Sequence, residues 1–149
     1  MAGAHDDLLA SLSKYPRLET VDLGQLVLSP QALRSLSGVP NLQTLTVTGY
    51  RLGTGWLEIL ADCREIRALR IEHIGEENLS ALARLKKLES LTISVYELPE
   101  AAEHLKELPN LKVIRWHTWK HPLRPDQLVR LKEIMPNVRI EEANHLQSK

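Results

Sequence analysis

The sequence predicts an α/β chain in which short strands and short helices alternate and the strands lie side by side in one parallel sheet. Three observations predict it. A six-residue pattern, apolar-x-x-apolar-x-apolar, recurs five times at near-constant spacing. A second apolar pattern, with helical spacing, lies between successive copies. The composition is aliphatic: Phe is absent, Trp and Tyr number 3 each, and Leu fills 28 of 149 positions.

The strand copies are Leu18-Glu19-Thr20-Val21-Asp22-Leu23, Leu42-Gln43-Thr44-Leu45-Thr46-Val47, Ile66-Arg67-Ala68-Leu69-Arg70-Ile71, Leu88-Glu89-Ser90-Leu91-Thr92-Ile93 and Leu111-Lys112-Val113-Ile114-Arg115-Trp116. Their first positions step by 24, 24, 22 and 23 residues. A sixth, truncated copy is expected to begin at Val138, with Ile140 two residues on. The fourth and sixth positions alternate with polar residues, which is strand periodicity. The β-branched side chains of Val47, Ile71 and Ile93 suit a strand at the last position.

Helices are expected between the strands. Leu8, Leu9 and Leu12 form an opening helix over residues 5–13, expected to cover the side of the first strand. Ser29-Pro30 is an N-cap followed by Pro at the first helical position, with Leu33 and Leu36 behind it. Gly38 and Pro40 stop that helix. Leu57 and Leu60 follow Gly53-Thr54-Gly55, and Leu79, Leu82 and Leu85 follow Gly75-Glu76-Glu77. Leu98-Pro99 opens a helix carrying Leu105 and Leu108, and Arg124-Pro125 one carrying Leu128, Leu131 and Ile134.

Alternating helix and strand also fits an open doubly wound sheet. Connections of about 15 residues, room for only two or three helical turns, argue against it. So do strands with a polar face, because a doubly wound sheet is buried on both sides.

These units resemble the leucine-rich-repeat family, whose consensus begins L-x-x-L-x-L; the resemblance covers residues 8–141. The resemblance implies a right-handed β-α superhelical solenoid, with the parallel sheet on the concave side and short helices on the convex side. The chain then divides into an N-terminal capping helix (1–16), about five repeats (17–135) and a C-terminal strand fragment and tail (136–149), all one domain. One departure stands out. The family places Asn or Cys at the ninth repeat position, where this chain has Leu26, Tyr50, Ile74, Tyr96 and Trp119.

Strand alternation names the outward-facing residues. The central column reads Asp22, Thr46, Arg70, Thr92, Arg115. One flank reads Thr20, Thr44, Ala68, Ser90, Val113, and the other Gly24, Thr48, Glu72, Ser94, His117. The family usually binds proteins on this concave sheet. The plainer reading is a solvated strand face on which Thr is favoured by β-propensity alone.

Residues 111–132 depart from the chain's neutrality. Lys112, Arg115, Lys120, Arg124, Arg130 and Lys132 face one acid in the segment, Asp126, and Trp116, Trp119, His117 and His121 lie among them. Trp and Arg are enriched at interface hot spots. One reading places a partner site in the last two repeats, with Arg115, His117, Trp119 and Lys120 prominent. The other, which is favoured, has Trp116 in the core, Trp119 filling a turn and the basic side chains solvated.

The remaining chemistry is sparse. Lys plus Arg and Asp plus Glu stand at 19 each, giving no global pull toward nucleic acid or anionic lipid. Cys63 is the single cysteine, expected as a core thiol where a helix ends. His117 and His121 are four apart, but Pro122 follows and no acidic or cysteine ligand completes a metal site. Gly53-Thr54-Gly55 is too short for a phosphate loop. Glu76-Glu77 suit a helix start, and Glu141-Glu142 are expected beyond the last strand, discouraging edge-to-edge growth. No secretory signal or membrane span is read, so a cytoplasmic location is expected.

The expectation is therefore a non-catalytic protein-interaction module, without cofactor or metal. Its candidate contacts are Asp22, Thr46, Arg70, Glu72, Thr92, Arg115, His117, Trp119 and Lys120. Nucleic acid is not the expected partner. The competing reading is an anionic ligand, nucleic acid or phospholipid, held by the basic segment 111–132.

Overall fold

A computed structural model describes residues 4–24, 26, 28–48, 55–72, 76–94, 98–117 and 123–143. Six strands form one sheet in chain order: β1 (Thr20–Asp22), β2 (Thr44–Val47), β3 (Ala68–Ile71), β4 (Ser90–Ile93), β5 (Val113–His117) and β6 (Arg139–Ala143). Every neighbouring pair is parallel. Between them run α1 (Ala4–Ser11, ahead of β1), α2 (Pro30–Ser35), α3 (Trp56–Leu60), a 3-10 helix (Glu76–Arg84), α4 (Leu98–Leu105) and α5 (Pro125–Ile134). These pack on one another in the same order, so a helical layer follows the sheet.

The repeat explains the register. The fourth positions Val21, Leu45, Leu69, Leu91, Ile114 and Ile140 form one row of paired residues. The sixth positions Val47, Ile71, Ile93 and Trp116 form the next. From Val21 to Ile114 and Val47 to Trp116, both rows are buried, and they join Leu33, Leu36, Leu57, Leu60, Leu79, Leu82 and Leu85 in a single core. Each such side chain contributes roughly 1.5–3 kcal/mol when fully buried. No repeat can bury its own apolar face, so this energy is realised only between neighbours.

Local chemistry sets the helix starts. Ser29 Oγ accepts from the Ala32 N–H at 3.1 Å, and Pro30 fills the first helical position. Gly55 ahead of α3 has φ +85°, a conformation that a side chain disfavours. Gln127 Oε1 accepts from the Arg124 N–H at 3.1 Å where α5 begins.

Four features refine or differ from the sequence reading. The segment Glu76–Arg84 is a 3-10 helix of nine residues. Leu79 and Leu82 within it and Leu85 just after it are three apart throughout, which matches three residues per turn, and the roughly 2.0 Å rise covers distance in fewer residues; this is the shortest repeat, 22 residues. Second, α1 stacks on α2 in the helical layer, and its Leu9 is buried in the same core cluster as Val21 and Leu23. Third, β6 is a five-residue strand fully paired with β5, and Glu141 and Glu142 lie within it. Fourth, Val113 pairs with Arg139, so Asn137 stands where Leu111 stands and Val138 falls one position late. Asn137 and Glu142 take two of the three apolar positions, which left Ile140 alone to mark the copy.

Candidate functional site

The second face of the sheet carries the columns expected from alternation. Thr20, Thr44, Ala68, Ser90, Val113 and Arg139 lie in one register row. Asp22, Thr46, Arg70, Thr92, Arg115 and Glu141 lie in the next. All are exposed or half-exposed except Val113, which is buried without joining the core cluster. Ser94, expected on the flank, is also buried, at 7% exposure. No described helix packs over this face: helices contact helices, and the opposite face holds the core.

The outward residues of β1 and β2 are small and neutral apart from Asp22. That carboxylate is used locally, its Oδ1 accepting from the Gly24 N–H at 2.8 Å where Gly24 turns with φ +51°. Thr44, Thr46 and Thr92 are half-exposed hydroxyls. Arg70 Nη2 and Glu72 Oε1 pair at 2.9 Å, with the Glu72 side chain only 12% exposed.

The second half is charged, and the charges form two triads. Glu141 accepts from Arg115 Nε at 3.0 Å and from Arg139 Nε at 2.6 Å. Arg115 also donates Nη1 to Ser90 Oγ at 2.9 Å. At the rim where the strands begin, Glu89 bridges Arg67, at 2.7 Å, and Lys112. Hydrogen bonds from Lys112 and then Arg67 hold the Glu89 carboxyl below its ordinary range. Each triad has two bases around one acid.

The basic segment is thus less isolated than its sequence implied. Lys112 and Arg115 meet Glu89 and Glu141, acids from outside the segment, and Arg124 meets Asp126 at 3.1 Å. Trp116 lies in the core at 5% exposure, and its Nε1 has no hydrogen-bond partner among the described residues. His117 is the last residue of β5, in register with Ala143. Trp119, Lys120 and His121 lie outside the described residues, as do Tyr50, Ile74 and Tyr96. Leu26 is half-buried against the core.

Cys63 is buried just past α3, and burial, then the Asp62 charge, pushes its thiol up to about 12. Among the described residues no group of three His, Cys, Asp or Glu is placed to hold a metal ion. Among them, too, no helix is long and apolar enough to cross a membrane.

Two arrangements escaped sequence reasoning. Asn41 donates Nδ2 to the Pro16 carbonyl at 2.6 Å, and Asn110 to the Lys86 carbonyl at 2.7 Å, each tying a repeat to its predecessor. The signal was present: Pro-Asn recurs at 40–41, 109–110 and 136–137. On the helical side, Arg84 reaches Glu58 and Asp62, and Lys87 reaches Glu65 at 2.6 Å, again across one repeat. No family model matches this chain, and neither does any curated protein sequence.

Proposed function

We propose that this chain is a leucine-rich-repeat solenoid acting as a non-catalytic protein-interaction module, with the uncovered sheet face and the C-terminal repeats as its binding surface. The observation that carries the reading is an all-parallel six-strand sheet buried on one face and left open on the other. All-parallel sheets are ordinarily covered on both faces. Here one face holds Thr46, Thr92 and their neighbours, short side chains on a rigid support that let a partner approach closely. Arg70, Glu72 and Arg115 add directional polar contacts, and the proposal extends to His117, the last residue of β5, and to Trp119 and Lys120, which follow it in the chain.

The reading in which 111–132 holds a nucleic acid or phospholipid draws on the same basic residues. Interleaved acids at Glu89, Asp126 and Glu141 weigh against it, because a continuous polyanion would be repelled at each.

The test begins with partners captured by affinity purification from the native host. Thr46→Trp and Thr92→Trp place bulk on the open face while keeping strand propensity. Circular dichroism should stay unchanged while partner binding is lost. Retained binding by both folded variants, with loss on substituting Glu58 and Glu65 on the helical side, would overturn the proposal. A steep loss of affinity with salt, a power law in ionic strength, would favour the polyanion instead.

A further inference from the structure

Resting on that reading, we infer that the partner is a protein segment presenting two carboxylates, one to each of the triads Arg67–Glu89–Lys112 and Arg115–Glu141–Arg139. In each triad one carboxylate is shared by two cations, so one positive charge is left without an equivalent acid. The acids are already engaged by both neighbours. The side chains of Lys112 and Arg139 are 71% and 69% exposed, so their unused donors face water. Arg donors in a planar fork match a further carboxylate geometrically.

The spacing limits the occupant. Lys112, just ahead of β5, and Arg115 within it are three residues apart, about 10 Å at the strand rise. Side chains of an extended segment alternate sides, so two carboxylates turned toward the sheet stand an even number of positions apart; four positions, about 13 Å, come within reach of the long Lys112 and Arg115 side chains. Between the triads lies Val113, buried and uncharged, so the positive sites are discrete. The opposite end of the face carries Glu19 and Asp22, both exposed. An acidic segment is therefore directed to β4–β6 and away from β1 by charge alone.

The experiment is a titration of the full chain followed by two-dimensional amide NMR. The probe is a synthetic peptide of threonine and serine with two glutamates four positions apart; the control carries glutamines instead. The glutamate peptide should shift the amides of Ser90, Arg115 and Glu141. Its affinity should fall several-fold, up to about tenfold, in the folded variant Arg115→Gln with Arg139→Gln. Lys112→Gln, at an exposed side chain, serves if that variant fails to fold, and should weaken binding in the same direction. Equal shifts from both peptides, shifts elsewhere, or none from the glutamate peptide would each overturn the inference. So would tighter binding at these amides by an oligothymidylate or by phosphatidylserine vesicles. Failure here leaves the open face as a protein-binding surface testable by Thr46→Trp, so the two ideas fail separately.

Discussion

Asn110 donates its side-chain amide to the backbone carbonyl of Lys86, 24 residues earlier and one repeat back. Asn41 makes the same bond to Pro16 across 25 residues. Leu26 is half-buried against the core in the first repeat, and Asn side chains bridge successive repeats from just before the strand. Asn110→Ala should therefore lower stability by about 1 kcal/mol, the net worth of one such bond. Asn41→Ala should do likewise, and the double variant should lose the sum, because the sites are far apart. Urea unfolding measures both; no change in midpoint would show that water replaces the bond at no cost.

Leu91 lies at the centre of the sheet with 0% exposure, whereas Leu8 on α1 is 57% exposed. Leu91→Ala should cost about 2–5 kcal/mol through lost transfer energy and the cavity left behind. Leu8→Ala should stay within about 0.5 kcal/mol. Equal effects in chemical denaturation would mean that stability does not follow burial between neighbouring repeats.

Glu89 is held ionised by Lys112 and Arg67, so its folded pKa lies below the unfolded one. Its contribution to stability is complete above the ordinary carboxylate value and disappears as pH falls through the depressed one. Carboxyl-carbon NMR should give a Glu89 midpoint below about 4.3, the ordinary value. Lys112→Gln should move that midpoint up. A midpoint insensitive to Lys112 would remove the rim triad.

Cys63 keeps its proton in the folded chain well past the ordinary thiol value of 9.0. The unfolded chain loses it first, so stability should decline as pH rises from about 9 toward 12. At pH 8 an aromatic disulfide reagent should leave the native thiol unmodified and titrate one thiol after denaturation. Rapid labelling of the folded protein would contradict its burial.

Much of this architecture was legible in the chain because its signals are periodic. Leu45, Leu69 and Leu91 recur in step, and a row of paired strands is the arrangement that buries all of them together. The last strand was harder to read, since Asn137 and Glu142 occupy positions that elsewhere are apolar. Among the described residues β6 is the outermost strand, paired only with β5, and Asn137 and Glu142 are exposed there. The helix type at Glu76–Arg84 was implicit in leucines three apart, a spacing shared by one face of an α-helix.

The amino-acid sequence alone determined the five full strand copies, the core rows and the outward columns apart from the buried Val113 and Ser94, because burying aliphatic surface is a nearest-neighbour requirement written every two dozen residues. It did not determine which charges meet. Glu89 joins Arg67 and Lys112, and Glu141 joins Arg115 and Arg139, only after strands distant in sequence are set side by side. An ion pair depends on separation in space, and for residues one repeat apart the stacking of the sheet sets that separation.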